Sequence, residues 1–258
     1  MGYLVYDIEA VVDGTTCPAW EPPEGAPDTF PPVWAFRIAT IGTLTLDDAL
    51  NVTGAGVCGP GSGGDEVEIL ESWLAQARDA NGRPHKLVDF NGRGFDIPLI
   101  QNRCWKYGLD MSWYFAPQPD NRGSISTWSK AYRERYAGMH IDIAEQYSNF
   151  RAAPYHSLDA LAQLMGLPGK AISLGGAEVG KAWAEGRHAD IDRYVMEDVL
   201  QTAFVFLRMK LLFGEIALER YRGLAASLLD RIKNGTRYTH LSDAVDEATL
   251  LLEERCSE

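Results

Sequence analysis

The chain opens with the stretch YLVYDIE at residues 3–9, in which strand-forming residues precede two acidic side chains. This pattern predicts a β-strand over residues 3–8. Side chains two positions apart share one face of a strand, so Asp7 and Glu9 point to the same side and Ile8 to the other. Two carboxylates on one face can bind metal ions, although an exposed strand edge explains an isolated Asp-x-Glu more simply.

The segments that follow predict an α/β architecture around that strand. Three strands of antiparallel character come first and helices then alternate with strands, which indicates a central mixed five-stranded sheet flanked by helices. The later predicted strands cover residues 36–46, 51–57, 86–90 and 140–143. The predicted helices cover residues 66–77, 97–107, 179–185 and 190–212, and a further helix begins after Ser157 as its N-cap.

Two regions lie outside this regular pattern. Residues 13–34 contain six prolines and can only form a long loop, which either crosses the surface or forms a flap beside a functional site. From residue 215 onward, the pattern indicates two helices separated near residue 234. We therefore expect one domain over residues 1–213 and a C-terminal helical extension over residues 214–258, packed on or beside it.

The composition is that of a globular protein, with 258 residues of which 46% are hydrophobic. No apolar run is long enough to span a bilayer, and the N-terminus has neither a basic start nor a cleavable apolar segment. We therefore expect a soluble, cytoplasmic protein without a membrane partner. Widely spaced cysteines with no histidine at ligand spacing argue against a zinc site and favour reduced thiols, with two disulfides as the alternative. The cysteines are Cys17, Cys58, Cys104 and Cys256.

A second acidic position lies in the stretch NGRGFDIP at residues 91–98. Asp96 falls at the predicted start of a helix, with Pro98 in the first turn, where a carboxylate commonly caps free backbone N–H groups. Asn91 and Phe95 favour a binding role, because an amide can hold a sugar-phosphate and an aromatic ring can stack on a base. From this stretch alone, both a cap and a metal ligand remain open for Asp96.

A third acidic position lies in the stretch YVMED at residues 194–198. Tyr194 and Asp198 are one helical turn apart and share a face, whereas Glu197 points elsewhere. A packed tyrosine and a solvated aspartate would explain the pair without any function. Apolar neighbours such as Val195 instead predict a largely buried helix, in which an aspartate without a partner or metal would be costly.

Together the three stretches supply four carboxylates, and hard divalent cations suit such an oxygen-rich anionic site. In this order the motifs resemble the DEDD superfamily of 3′–5′ exonucleases, in its tyrosine-bearing (DEDDy, DnaQ-like) branch. More narrowly, they resemble the stand-alone exonucleases related to the proofreading domain of family B DNA polymerases. The carboxylates are those of Asp7, Glu9, Asp96 and Asp198.

The resemblance rests on motifs spread over residues 1–213 and implies a ribonuclease H-like fold. DIE at residues 7–9 matches the first motif, NGRGFD followed by Ile-Pro the second, and YVMED followed by Val the third. HIDI at residues 140–143 is similar to the short strand that this family has between its second and third motifs. Ala10 departs from the family, which commonly has Thr or Cys there, and this affects local substrate contacts rather than metal ligands.

The resemblance implies a metal-dependent 3′–5′ exonuclease that hydrolyses phosphodiester bonds of nucleic acid, single-stranded DNA in particular, to 5′-mononucleotides. It implies two Mg²⁺ or Mn²⁺ ions bound by the four carboxylates. Tyr194 would orient the attacking water, since a tyrosine with an ordinary pKa near 10 is a poor base at neutral pH. Substrate contacts are expected from Ile8, Asn91 and Phe95.

The net charge of −12 is unusual for a protein that binds nucleic acid. Two divalent cations would offset part of the acidic charge. Basic clusters remain at Arg133 and Arg135 and again within residues 220–237, where solvated helix faces are the simpler explanation. We therefore expect an enzyme that binds a few nucleotides at a 3′ end rather than a tight, non-specific binder.

Two other functions remain open. A non-catalytic ribonuclease H-like binding module would lack one or more of the four carboxylates, and all four are present. A metal-dependent phosphohydrolase acting on small nucleotides would share the ions and differ in substrate. The sequence leaves open the preference for DNA or RNA, the oligomeric state, any protein partner, and a pathway of DNA repair or RNA turnover; without a polymerase-sized region, proofreading in cis is not expected.

Two further patterns are excluded from the site. Residues 175–181 have the spacing of a phosphate-binding loop, but Ala182 replaces the hydroxyl that would bind magnesium. His188 and Asp192 are one helical turn apart and suggest the histidine-bearing branch of the superfamily. That branch has its histidine five positions before the aspartate, where Arg193 stands here, so the tyrosine-bearing motif is preferred.

Overall fold

A computed structural model describes residues 1–15, 20–26, 29–117, 132–154, 156–169, 176–235 and 244–253. Its centre is a five-stranded sheet of order β3-β2-β1-β4-β5. The strands are β1 (Tyr3–Val12), β2 (Phe36–Leu46), β3 (Val52–Val57), β4 (Lys86–Asp89) and β5 (His140–Asp142). The first three strands pair antiparallel, and β4 and β5 continue parallel to β1, so the predicted mixed sheet is confirmed.

Nine helices occur within the described residues, as well as a short 3₁₀ turn at Val33–Ala35. Two of the three shortest, Ser112–Phe115 and Ile143–Tyr147, were not predicted because a single turn is too short to show a helical period. The helices are α1 (Glu66–Gln76), α2 (Asp96–Tyr107), α3 (Ser112–Phe115), α4 (Ile143–Tyr147), α5 (Leu158–Leu164), α6 (Gly176–Ala184), α7 (His188–Leu212), α8 (Leu218–Asn234) and α9 (Glu247–Leu251).

Strand β1 extends four residues beyond the predicted end at Ile8. Acidic residues disfavour a strand in isolation, but β2 pairs with β1 along its whole length and overrides that preference. Strand β4 pairs with β1 only over Tyr3, Leu4 and Val5. The second half of β1, which carries Asp7, is therefore open on its β4 side.

The sheet separates two apolar clusters, which the alternation along β1 explains. Tyr3 and Val5 pack in the cluster with α7 and α8, whereas Leu4 and Tyr6 pack in the cluster with α1 and α2. By the same alternation, Asp7 lies on the α7 face of the sheet. The fold is thus an α/β ribonuclease H-like sandwich, with its longest helix against the face that carries the acidic side chains.

Helix α8 packs against α7 and contributes Tyr221, Leu224 and Leu228 to the same buried cluster. The boundary at residue 213 between a domain and a C-terminal extension stays a prediction. The basic residues of α8 are mostly solvated, as expected, since Arg220, Arg231 and Lys233 are exposed, and its arginines also donate to backbone carbonyls. Arg220 bonds Ala49 O, Arg231 bonds Val52 O, and Arg222 bonds Leu251 O and Leu252 O, while Arg237 lies outside the described residues.

A buried ionic network fixes the end of β1 to the helices behind it. Arg103 of α2 donates to Asp13, at 2.9 Å, and to Glu66 at the start of α1. Glu66 also accepts the backbone N–H of Ile38 at 2.6 Å. Because Asp13 begins the proline-rich loop, this network anchors one end of that loop. Within the described part of the chain, no helix is both long and apolar enough to cross a membrane.

Candidate active site

Three predicted ligand side chains converge at the open half of β1. One carboxylate oxygen each from Asp7, Glu9 and Asp198 lies within 4.8 Å of the other two. Asp7 and Glu9 share a face because they are two apart in the strand, and Asp198 comes from α7, which packs on that face. A register shift follows Glu9, as a β-bulge does, and bulges often lie next to functional sites.

Electrostatics at this point are unfavourable without a cation. Burial, followed by the negative charges of Asp198, Asp96 and Glu9, raises the pKa of Asp7 well above the ordinary carboxyl value. A divalent cation bound between these oxygens would remove the repulsion, and oxygen donors of this kind are the ligands that Mg²⁺ and Mn²⁺ prefer. The donor set therefore fits the expected ions.

Tyr194 lies one turn before Asp198 on α7, and its hydroxyl donates a hydrogen bond to that carboxylate. The tyrosine is buried. Burial and the neighbouring charges of Asp198, Glu9 and Asp7 raise its pKa above the ordinary value, so the hydroxyl stays protonated at neutral pH. The structure thus supports an orienting role better than proton abstraction.

Asp96 begins α2 and lies outside the group of three carboxylates, although its charge raises the pKa of Asp7. Its carboxylate accepts the backbone N–H of Ile8, which links the start of α2 to β1. Burial and the charge of Asp89 raise the pKa of Asp96 well above the ordinary value. The side chain of Ile8 is buried in the core and exposes little surface to a substrate. Its predicted contact with substrate stays a prediction.

The loop before Asp96 is held by two carboxylates that the sequence prediction missed. Asp142, at the end of β5, accepts the backbone N–H groups of Asn91 at 2.9 Å and Arg93 at 3.2 Å. Asp89, at the end of β4, accepts the N–H of Gly92 at 3.2 Å. Any side chain on Gly92 would strike Asp89, since a Cβ there would lie 2.3 Å from its carboxylate. The signal for Asp142 was its place at the end of a strand parallel to β4.

Asp89 also anchors a buried chain of polar groups beneath this loop. Its Oδ2 accepts the hydroxyl of Tyr6 at 2.6 Å and lies 2.5 Å from Nε2 of His140. The hydroxyl of Tyr114 lies 3.1 Å from Nδ1 of the same histidine. Such a satisfied network makes the positions of β4 and β5 rigid relative to β1, and with them the loop that leads to Asp96.

An aromatic cluster lies beside Asp96. Phe95 packs edge to face on Phe36, with ring centroids 5.4 Å apart. The ring of Phe30, in the proline-rich loop, lies 5.4 Å from that of Phe36 and 6.1 Å from that of Phe95. Phe30 is 71% exposed. The end of the loop therefore lies next to the site, as expected of a flap. Asn91 adopts a left-handed backbone with φ of 64°, and its side-chain oxygen accepts a hydrogen bond from Arg151.

The residues that the sequence patterns excluded from the site do not belong to the three converging carboxylates. Asp192 accepts the N–H of Ser62, and His188 lies 3.4 Å from the hydroxyl of Ser62, so both hold the loop before α1. Glu197 is buried and is not one of the three converging carboxylates. Residue 175 of the rejected phosphate loop lies outside the described residues.

Among the described cysteines, Cys58 and Cys104 are buried free thiols, as predicted. Cys17 and Cys256 lie outside the residues that the structure describes.

A mixed sheet with acidic side chains at the open end of its central strand, faced by one long helix, is the arrangement of ribonuclease H-like exonucleases. Residues 28–248 match the family described as predicted 3′–5′ exonucleases related to the exonuclease domain of PolB. The chain belongs to this family. The match includes Asp96 and Asp198 and begins after Asp7 and Glu9.

The chain is also similar to part of a curated relative, a DNA polymerase of Ostreid herpesvirus 1 (isolate France). The two sequences are 29% identical over 82 residues, which make up 32% of this chain and 4% of the polymerase. This similarity covers a small part of the viral protein, so it says nothing about polymerisation by this chain.

Proposed function

We propose that this protein is a metal-dependent 3′–5′ exonuclease that releases 5′-mononucleotides from single-stranded nucleic acid, DNA in particular. The observation that carries the proposal is the convergence of Asp7, Glu9 and Asp198 within 4.8 Å, in a member of a family of predicted exonucleases. Such a cluster of carboxylates is the protein's part of a phosphodiester-cleaving metal site.

Asp7, Glu9 and Asp198 would hold the Mg²⁺ or Mn²⁺ ions together with Asp96, which begins α2 and whose charge acts on Asp7. When bound, a pair of such ions would activate a water molecule for attack and stabilise the leaving 3′ oxygen. The chain supplies the negative charge that retains them. A hydrogen bond from the backbone N–H of Ile8 holds the carboxylate of Asp96 beside β1.

Tyr194 would hold the attacking water in line with the phosphorus atom, because its protonated hydroxyl lies beside Asp198. Because the hydroxyl donates its one proton to Asp198, its oxygen is left to accept a hydrogen bond from the water. The hydroxyl is anchored by a buried helix and therefore loses little entropy on positioning the water.

The aromatic cluster favours a single-stranded end over a duplex. Phe30 and Phe95 present ring surface beside Asp96, and unpaired bases stack on such rings with little dependence on sequence. A base within a duplex is already stacked and paired, so it must first be released. Asn91, which precedes Phe95 in the same loop, is proposed to contact the sugar-phosphate.

The test is degradation of 5′-labelled single-stranded and duplex DNA and RNA with Mg²⁺ or Mn²⁺. We expect stepwise shortening of single strands from the 3′ end, no cleavage in EDTA, and loss of about 10³-fold in rate for Asp7→Asn. Asp190→Asn, at a half-buried aspartate in the first turn of α7 that pairs with Arg187 and Arg193, is the matched control. Undiminished cleavage in EDTA or by Asp7→Asn would refute the proposal.

The same labelled strands, together with free nucleotides and a gel shift, separate the two other functions. A phosphohydrolase of small nucleotides would hydrolyse free nucleotides and leave labelled strands intact. A non-catalytic binding module would retain labelled strands in a gel shift without shortening them. A location in the cytoplasm belongs to the proposal and is tested by fractionation of cells.

A further inference from the structure

Three arginines surround one buried carboxylate beside the loop that leads to Asp96. Guanidinium nitrogens of Arg93, Arg135 and Arg151 lie 3.6, 2.5 and 3.9 Å from carboxylate oxygens of Glu145. One guanidinium group is enough to neutralise one carboxylate. The group of four side chains therefore carries two positive charges in excess, in a chain whose net charge is −12.

The three arginines differ in exposure and in their other partners. Arg93 is largely buried and donates to His140 O at 2.9 Å, so it holds β5 and the loop together. The side chains of Arg135 and Arg151 are 41% and 46% exposed. Both side chains are therefore partly accessible to a ligand.

An unusual backbone brings Arg151 to this place. Asn149, Phe150 and Arg151 are consecutive residues in the left-handed region, with φ of 49°, 57° and 69°. Residues with a Cβ rarely adopt this conformation singly, and a run of three is much rarer. The turn is held by hydrogen bonds from Phe150 N to Glu145 O, at 2.6 Å, and from Arg151 N to Ser148 Oγ, at 2.9 Å.

The consequence of this turn is a contact with the site loop. Arg151 donates to the side-chain oxygen of Asn91 at 3.0 Å, and its guanidinium lies against Gly94. Backbone strain that persists in a fold is often retained for what it positions. Here it positions a half-exposed cation against Asn91, which lies five residues before Asp96 in the chain.

An exposed aromatic ring completes this surface. Tyr136, next to Arg135, packs edge to face on Phe150 of the left-handed turn, with centroids 4.4 Å apart, and is 69% exposed. Alternating cations and aromatic rings form the surfaces on which single strands bind, because phosphates pair with the cations and bases stack on the rings.

We propose that Arg135, Tyr136 and Arg151 bind the phosphodiester backbone of the single strand upstream of its 3′ terminal nucleotide. This inference rests on the exonuclease function proposed above. Arg135 and Arg151 would contact phosphates and Tyr136 a base. The surface supplies the basic footprint that the overall acidic charge of the chain lacks.

The test is binding of a fluorescent single-stranded oligonucleotide in EDTA, followed by anisotropy over a range of salt concentrations. For the double variant Arg135→Gln/Arg151→Gln, we expect Kd to rise at least about tenfold, because two charge-assisted contacts are lost. The slope of log Kd against log salt should fall by about 1.4, since each phosphate contact on a single strand contributes about 0.7. Arg83→Gln, an exposed arginine paired with Asp79, should leave both quantities unchanged.

A purely structural role for these arginines would give a different result. It would lower Tm and leave the salt slope as in the wild type, which would overturn the proposal. Arg151→Lys in the Arg135 wild-type background keeps the charge and should keep the slope, whereas Arg151→Gln should reduce it by about half of the double effect. An equal effect of Arg83→Gln would also overturn it.

Failure of this inference is distinguishable from failure of the exonuclease function. Because binding is measured without metal, it does not depend on turnover. Cleavage of a nitrophenyl ester of thymidine 5′-monophosphate by the wild type tests the cleavage site alone, because this substrate has no upstream strand. A wild type that binds the oligonucleotide with the expected salt slope but cleaves nothing would refute only the exonuclease.

Discussion

The hydroxyl of Tyr194 donates a hydrogen bond to Asp198, the residue one turn later on α7 that also belongs to the converging carboxylates. Both side chains point from one buried helix toward β1, so the distance between them is set by helix geometry rather than by a mobile loop. A phenol held in this way is fixed relative to any cation that Asp198 binds. This geometry is consistent with the positioning role proposed for Tyr194, in which the hydroxyl keeps its proton.

Replacement of Tyr194 by phenylalanine should separate turnover from metal binding. The ring still fills its buried site, but the water loses its orienting hydroxyl, so we expect kcat to fall about 100-fold with Kd for Mn²⁺ changed less than about twofold. Single-turnover cleavage and calorimetric titration with Mn²⁺ measure the two effects. Tyr221→Phe is the control: it removes a buried hydroxyl of α8 that is bonded to Leu250 O, and it should leave kcat unchanged.

Metal should stabilise the wild-type protein and leave the Asp7→Asn variant unaffected. Ligand that binds only the folded state contributes about 2.7 kcal/mol at a hundredfold excess over Kd. We therefore expect Mg²⁺ or Mn²⁺ to raise Tm of the wild type in a concentration-dependent way, as measured by calorimetry. Asp190→Asn should respond like the wild type, and an unchanged wild-type Tm would contradict a metal site at Asp7.

Without metal, Asp7 should make stability depend on pH. Its folded pKa is raised above the ordinary value of 3.8 by burial and by the neighbouring carboxylates. A group of this kind contributes stability that is fully present below its unfolded pKa and is lost as the pH rises through its folded pKa. In EDTA, Asp7→Asn should thus gain at least about 1 kcal/mol over the wild type as the pH rises from about 4 to about 8.

Urea unfolding at a series of pH values measures this difference directly. Asp110→Asn is a suitable control, because Asp110 is exposed and hydrogen bonds from Ser112 hold its pKa below the ordinary value. The advantage of Asp7→Asn should vanish when saturating Mg²⁺ is added. An advantage independent of pH would mean that the ionised carboxylate of Asp7 is not the destabilising group.

Removal of Asp142 should weaken activity without touching a ligand. This carboxylate holds two backbone N–H groups of the loop before Asp96 and caps α4, so Asp142→Ala should lower kcat/KM about 10- to 100-fold through displacement of Asp96. Asp246→Ala removes an N-cap of the same kind from α9 and should cost about 1 kcal/mol of stability with activity unchanged. Equal kinetics in the two variants would show that Asp142 is only a helix cap.

The ionic network around Arg103 should be among the most sensitive positions for stability. Arg103→Met leaves the buried carboxylates of Asp13 and Glu66 without their shared partner, which should cost about 3–5 kcal/mol. Arg83→Met breaks an exposed pair with Asp79 and should cost less than about 1 kcal/mol. Chemical denaturation measures both, and a loss below about 1 kcal/mol for Arg103→Met would mean that the network is not buried in solution.

Local patterns were sufficient for most elements of the fold. The bounds of β2 were predicted to the residue, and Ser157 caps its helix by accepting the N–H of Ala160. The end of β1 was not predicted, because pairing with β2 overrides the low strand propensity of its acidic residues. The single-turn helices α3 and α4 carry too few residues for a period to show.

The residues of the candidate site were likewise predictable only in part from the sequence. The sequence by itself determined Asp7 with Glu9, and Tyr194 with Asp198, because strand and helix periods place each pair on one face. Only the tertiary structure decided that the two pairs meet and that Asp142 and Asp89 hold the loop before Asp96. It also decided that Arg151 reaches Asn91, 60 residues away in the chain. Spacing fixes contacts within one element, whereas contacts between elements depend on packing against the whole sheet.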